Sequence, residues 1–248
     1  MSGWQPLVGP LVKLERAAVH IKEFEALSEA FLADNPYTIK IEKEPETGYI
    51  TGRAVFHQTI PASASAIAGD IIHNLRSSLD QLVSDMIRAS GNMPSRNSGF
   101  PIFKDETGFK GGAPEKLKGA DERFVNFVLR LHSYGERGDQ RWFYDLARLN
   151  NDDKHILLLS SKCSLSIAKM LIYTNEGIFP LERVGMLDGN PHYFPGEEVF
   201  KLKIQGKPRI VFQLRSEDDL SYAPALMLFE RMHSKVGGVL RDATTLFS

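Results

Sequence analysis

Between Gly9 and Asp34, apolar side chains recur three or four residues apart, at Leu11, Leu14, Ala18, Ile21, Phe24, Leu27 and Phe31. This is the period of one helix face. The pattern predicts a long amphipathic helix that stops at Asp-Asn-Pro, because the residue before Pro36 is biased away from helical backbone. Residue-by-residue alternation in YTIKIEK and YITGRAVFH, with Pro45 and Gly48 between them, predicts a β-hairpin over residues 37–57. A second long helix follows in PASASAIAGDIIHNLRSSLDQLVSDMIRASG. It opens on Pro61, keeps Ile67, Ile71, Leu75, Leu79, Leu82 and Met86 in register, and ends at Gly91.

Residues 92–120 are rich in Gly, Pro, Ser and Lys, so a long surface connection is expected there, anchored by FPIF and serving either as a lid or as a packed loop. DERFVNFVLRLH and DQRWFYDLARLNN keep helical spacing and predict a helical hairpin joined through SYGERG. After DDKH the pattern turns to short apolar or alternating runs, ILLLS, SLSIAKMLIYT, EVFKLKI and RIVFQL, which read as strands. The end of the chain places Leu226, Phe229, Met232, Val236 and Leu240 in helical register, although Gly237 and Gly238 weaken its middle. The expected fold is α+β: mainly a helical bundle of four to five helices, with a β-hairpin insertion and a C-terminal antiparallel sheet. Residues 1–155 would form the bundle and its hairpin. Residues 156–248 would form a strand-rich region closing with a helix and packed on the bundle as one unit.

At 248 residues, with 42% hydrophobic and 25% charged residues, the chain has the composition of a globular protein large enough to bury a core without cross-links. Its net charge of -1 provides no overall field for nucleic acid or an anionic membrane, though a local basic groove remains open. One cysteine, Cys163, rules out an intramolecular disulfide and a cysteine-based zinc cluster. Its alternating neighbours make it a strand residue rather than a nucleophile. No apolar run approaches the roughly 18 to 20 residues of a membrane span, and the first residues do not read as a leader. A cytoplasmic protein without a membrane partner is expected.

Two clusters carry candidate chemistry. On a wheel of residues 69–87, His73, Arg76 and Asp80 share one stripe beside the apolar face, with Asn74 next to it as a further binding candidate. An ordinary intrahelical ion pair between Arg76 and Asp80 is the competing account. The second cluster is RLNNDDKH, Arg148 to His155. Asn150 to Asp153 favour caps and turns, so they should unwind the helix and project Asp152, Asp153, Lys154 and His155 from a junction; a solvated charged turn is the plainer account. Two such clusters could meet in a bundle cleft. Metal-ligand spacings, a nucleophile elbow and nucleotide-binding loops are all absent, so neither metal nor cofactor is expected.

PxxxxxxxGDxxHNLRSxLDxL, from Pro61 to Leu82, and the later LNNDDKH resemble a family of uncharacterised bacterial and phage proteins with GDxxHNLRSxLDHL and DKHR motifs. PYTIKIEKEPETGYI and FPIF extend the likeness over roughly residues 10–160. The chain also resembles the HEPN superfamily, helical bundles that include metal-independent endoribonucleases of toxin and defence systems. Arg148 and His155, separated by six residues, fit that superfamily's arginine-to-histidine spacing, with Leu149 in place of its usual polar residue. Arg76 would need a histidine at position 81, which holds Gln81.

The resemblance implies RNA as substrate and a homodimer that forms or completes the cleft. His155 and His73 would transfer protons, Arg76 and Arg148 would hold the phosphate, and Asp80, Lys154, Asn74 and Asp153 would bind or orient. The alternative is a non-catalytic helical module whose same residues form a polar network or recognise a small anion or a protein partner.

Overall fold

The computed structural model describes residues 4–43, 50–135, 139–155, 159–174, 177–187, 192–194, 199–205, 209–214 and 225–247. The helices among them are α1 (Val8–Ala33), α2 (Ala62–Ala89), α3 (Glu106–Lys116), α4 (Glu122–Arg130), α5 (Arg141–His155) and α6 (Ala225–Thr244). The strands are β1 (Tyr37–Lys43), β2 (Ile50–Phe56), β3 (Leu159–Thr174), β4 (Gly177–Leu187), β5 (His192–Phe194), β6 (Val199–Gln205) and β7 (Arg209–Leu214). The fold is α+β and mainly helical, with antiparallel sheets.

The chain forms two compact units, one of Met1–Glu23, Ala66–Leu157 and Phe229–Ser248, the other of Phe24–Ser65 and Leu158–Leu228. This division differs from the expected one at residue 155. The hairpin falls with the later strands because β2 pairs with β5, and most of α6 falls with the helices.

In the helical unit α2 supplies the core. Ile71, Leu75, Leu79, Leu82 and Met86 are fully buried, and Ile72, Val83 and Ile87 widen the apolar face to roughly 160°, a little under half the circumference. The helix ends in a Schellman turn: Asn92 N–H donates to the Ile87 carbonyl at 3.1 Å and Gly91 N–H to that of Arg88 at 2.9 Å. Gly91 takes φ +78°, which glycine adopts without a Cβ clash. At the head of α1, the Leu7 carbonyl accepts the bond from Leu11 N–H. Ala17 and Ile21 on α1 are buried, but Leu11, expected on the core face, is 45% exposed.

Residues 92–120 are not a simple surface connection, because α3 lies within them despite three glycines and Pro114. Three interactions offset that composition. Asp105 caps the helix by accepting from Gly108 N–H at 2.8 Å, Lys110 pairs with Glu106 at 2.7 Å, and Phe109 and Ala113 are buried. Gly112 is needed for packing, since a Cβ there would run into the Phe103 ring. Helix α5 likewise departs from expectation by continuing through Asn150–Asp153 to His155. Leu146, Leu149 and Asn150 are buried, so tertiary packing outweighs the turn preference of the asparagines and aspartates.

In the other unit, β1, β2 and β5 form one antiparallel sheet. The long strand β3 organises the second: β4 pairs along one edge, while β6 and β7 take successive stretches of the other. Cys163 opposes Phe212 in the β3–β7 ladder, as a strand residue would.

Leu79→Ala, which deletes a fully buried side chain at the centre of α2, is expected to lower unfolding free energy by about 2–5 kcal/mol in urea titrations.

Candidate functional site

Helix α2 presents different polar groups to different neighbours. Arg76 and Asp80 stand one turn apart, with Nε donating to Oδ2 at 3.1 Å and Nη2 to Oδ1 at 2.8 Å. The pair holds a third group between its ends. Arg76 Nη2 donates to the Phe100 carbonyl at 2.8 Å, and Phe100 N–H donates to Asp80 Oδ1 at 2.9 Å. A Cβ on Gly99 would stand 3.0 Å from Asp80 Oδ1, so glycine permits this close approach. Arg76 Nη1 is buried and has no hydrogen-bond partner among the described residues. Two of the three guanidinium nitrogens are thus committed to Asp80 and Phe100, and the third is buried.

What the pair secures is the SGFPIF segment. Phe100 is fully buried and its ring stacks on Phe143 of α5 at 5.4 Å. Ser133 Oγ donates to the Pro101 carbonyl, and Phe103 exchanges backbone bonds with Ser133 and Gly135. Pinned on these sides, the segment is a packed connection and lacks the freedom of a lid. Trp142, stacked on Phe143, is also buried and belongs to the core.

His73 is exposed, and its Nε2 lies 3.4 Å from Ser77 Oγ. Asn74 is turned away from it and buried. Its Nδ2 donates to the Asp70 carbonyl at 2.7 Å, and its Oδ1 accepts from Lys13 Nζ at 3.4 Å. Asn74 thus begins a second row on α2, with Ser78, Gln81 and Asp85, that faces the start of α1. Ser78 Oγ donates to the Pro10 carbonyl at 2.8 Å, and a Cβ on Gly9 would lie 2.5 Å from Gln81 Oε1. Asp85 accepts from Leu7 N–H and Trp4 Nε1, each at 2.9 Å, and pairs with Arg88 at 3.1 Å. Position 81, where a histidine would have completed the arginine-histidine spacing, consequently addresses α1 rather than the stripe of His73, Arg76 and Asp80. Sequence reasoning missed Ser78 and Asp85. Their signal was the 74-78-81-85 spacing, which repeats along one helix side.

The second cluster divides. Arg148 lies on α5 near Asp145, a buried carboxyl that also meets Arg141 at 3.4 Å. Burial raises the Asp145 pKa above the ordinary aspartate value, against the opposing pull of Arg141, Arg148 and Arg231. His155 belongs to the last turn of α5 by its backbone, about 10 Å of helix rise beyond Arg148. The side chains of Asp152, Asp153, Lys154 and His155 lie outside the described residues. Burial also lowers the pKa of His233 on α6, opposed by a hydrogen bond with the backbone of Leu14. Among the described residues no three His, Cys, Asp or Glu side chains gather as a metal site. No described helix is long and apolar enough to cross a membrane. No family model, curated protein or solved structure matches the chain.

Asp80→Ala leaves the Phe100 N–H without its acceptor and the Arg76 guanidinium with the Phe100 carbonyl alone. A loss of about 1–3 kcal/mol is expected in urea unfolding. Arg76→Ala should lose a similar amount, and the double variant less than the sum of the two.

Asp145 supplies a pH test. Its raised folded-state pKa means that the native protein holds the proton more tightly than the unfolded chain does. Its contribution to stability is therefore largest below the ordinary aspartate range and declines as pH rises above about 4. The urea midpoint of Asp145→Asn minus that of wild type should increase between about pH 4 and pH 7. A flat or falling difference would contradict this assignment.

Proposed function

We propose that the protein is a non-catalytic helical binding module that recognises a protein partner or a small anion. The occupation of Arg76 carries this reading: its Nε and Nη2 bond Asp80 and the Phe100 carbonyl, and its Nη1 is enclosed. Metal-independent RNA cleavage requires a cation free to hold the charge of the phosphorane beside a proton-transferring group. His73 is accessible, but its neighbour one turn away holds the fold together. A cytoplasmic setting is part of the proposal and fits a chain with one cysteine.

The exposure of His73 supports the second reading, a HEPN-like endoribonuclease of a defence or toxin system using His73, His155, Arg76 and Arg148. Labelled RNA incubated in chelator with wild type, His73→Ala and His155→Ala separates the two. The binding module leaves the RNA intact in all three incubations. Cleavage by wild type that disappears in either variant would establish the nuclease instead.

A further inference from the structure

Asp145 is a carboxylate that the described part of the fold serves poorly. It is 5% exposed, and the side chain that donates to it is Arg141, whose Nε lies 3.5 Å from one carboxylate oxygen and 3.4 Å from the other. A carboxylate offers about four acceptor positions, so among the described residues most of that capacity is unused. The charged groups that act on Asp145 are all cations: Arg141 and Arg148 on α5, and Arg231 on α6. At about 100° per residue, positions 141, 145 and 148 share one arc of roughly 60° on α5. Arg231 is exposed, and its side chain makes no hydrogen bond or ion pair among the described residues. Three guanidinium groups about one acid leave a local excess of positive charge in a chain whose net charge is -1.

We propose that Arg141, Asp145, Arg148 and Arg231 bind inorganic hydrogen phosphate, the guanidinium groups donating to its charged oxygens and the Asp145 carboxylate accepting the hydrogen bond from its proton. The inference rests on the small-anion form of the binding-module reading and gives that anion a chemistry. Arginine suits the charged oxygens because its planar fork donates to a phosphate two bonds at a time. The carboxylate supplies the selection. An anion without a proton sets a bare oxygen against Asp145, two acceptors with nothing between them. Sulfate and the phosphodiesters of RNA are such anions near neutral pH, whereas hydrogen phosphate keeps its last proton throughout that range. A phosphate monoester loses its second proton near pH 6, at about the pKa of phosphorylated side chains, and is rejected above it for the same reason. A buried group placed to accept a hydrogen bond discriminates strongly against ligands that cannot donate one.

Isothermal titration calorimetry on the full chain, in chloride buffer at about pH 8 and constant ionic strength, compares potassium phosphate, potassium sulfate and glycerol phosphate. Phosphate should bind with a Kd between about 0.01 and 1 mM, and the other two at least about a hundredfold more weakly. Arg231→Gln, at an exposed position, should weaken phosphate at least about tenfold while leaving the urea midpoint in chloride nearly unchanged. Asp145→Asn keeps the side-chain shape but can turn an amide N–H toward the anion, so sulfate should then bind nearly as well as phosphate. A wild type that binds no phosphate, or that takes sulfate equally well, overturns the inference. Phosphate binding indifferent to Arg231→Gln, or a preference for phosphate that survives Asp145→Asn, overturns it as well. The binding-module reading falls instead to cleavage in the RNA incubations, so the two failures are told apart.

Discussion

The bidentate contact between Arg76 and Asp80, closed around the backbone of Phe100, is the constraint from which much of the helical unit follows. One helix turn sets the spacing of the two side chains, and the planar guanidinium sets their relative orientation. Together they offer a donor and an acceptor at the separation of one residue's carbonyl and N–H. Holding those two backbone atoms settles where the Phe100 ring enters the core, and that ring in turn meets α5 through Phe143. The rest of FPIF is then positioned for Ser133 and for the glycine face of α3. A charged pair on a helix edge thus does the work of a strand ladder, tying an irregular segment to a regular one.

This use of charge explains why the same residues attract a chemical reading. Catalysis and irregular-backbone anchoring both call for a fixed cation and a fixed carboxylate at the border of a core. The two uses differ in what fills the space between the charges. Here it is filled by the chain itself. Asp145 illustrates the reverse balance: three arginines lie within its electrostatic reach, yet desolvation prevails and favours the protonated acid. Proximity of opposite charge alone does not make a strong ion pair when one partner is withdrawn from water.

The helices α1, α2, α5 and α6 were legible because their apolar periods run for many turns, and the end of α2 was legible because Gly91 satisfies a specific backbone geometry. The helix α3 was not legible. Its three glycines and Pro114 oppose a helix locally, and what overrides them is Phe103 lying against Gly112, a contact made across the chain's own fold. The extension of α5 was missed for the same reason, since Asn150 is buried where its type favours a turn. At the candidate site, the Arg76–Asp80 pair could be read from a four-residue spacing, but its third partner could not. Phe100 contributes backbone atoms, which have no residue-type signature. Leu11 shows the converse limit: periodicity locates apolar rows on α1 without saying which of two opposite rows faces inward.

The carboxylate of Asp85 has a consequence for the order in which structure forms. It accepts from the backbone N–H of Leu7, the residue just before α1, although the two stand 78 positions apart in the chain. Leu7 holds a left-handed conformation, φ +68°, that a leucine does not favour in isolation. The first turn of α1 therefore has little reason to persist before α2 is in place. Amide protons at the two ends of this contact should become exchangeable in a single opening event, so that the beginning of the chain reports on the integrity of a helix formed long after it.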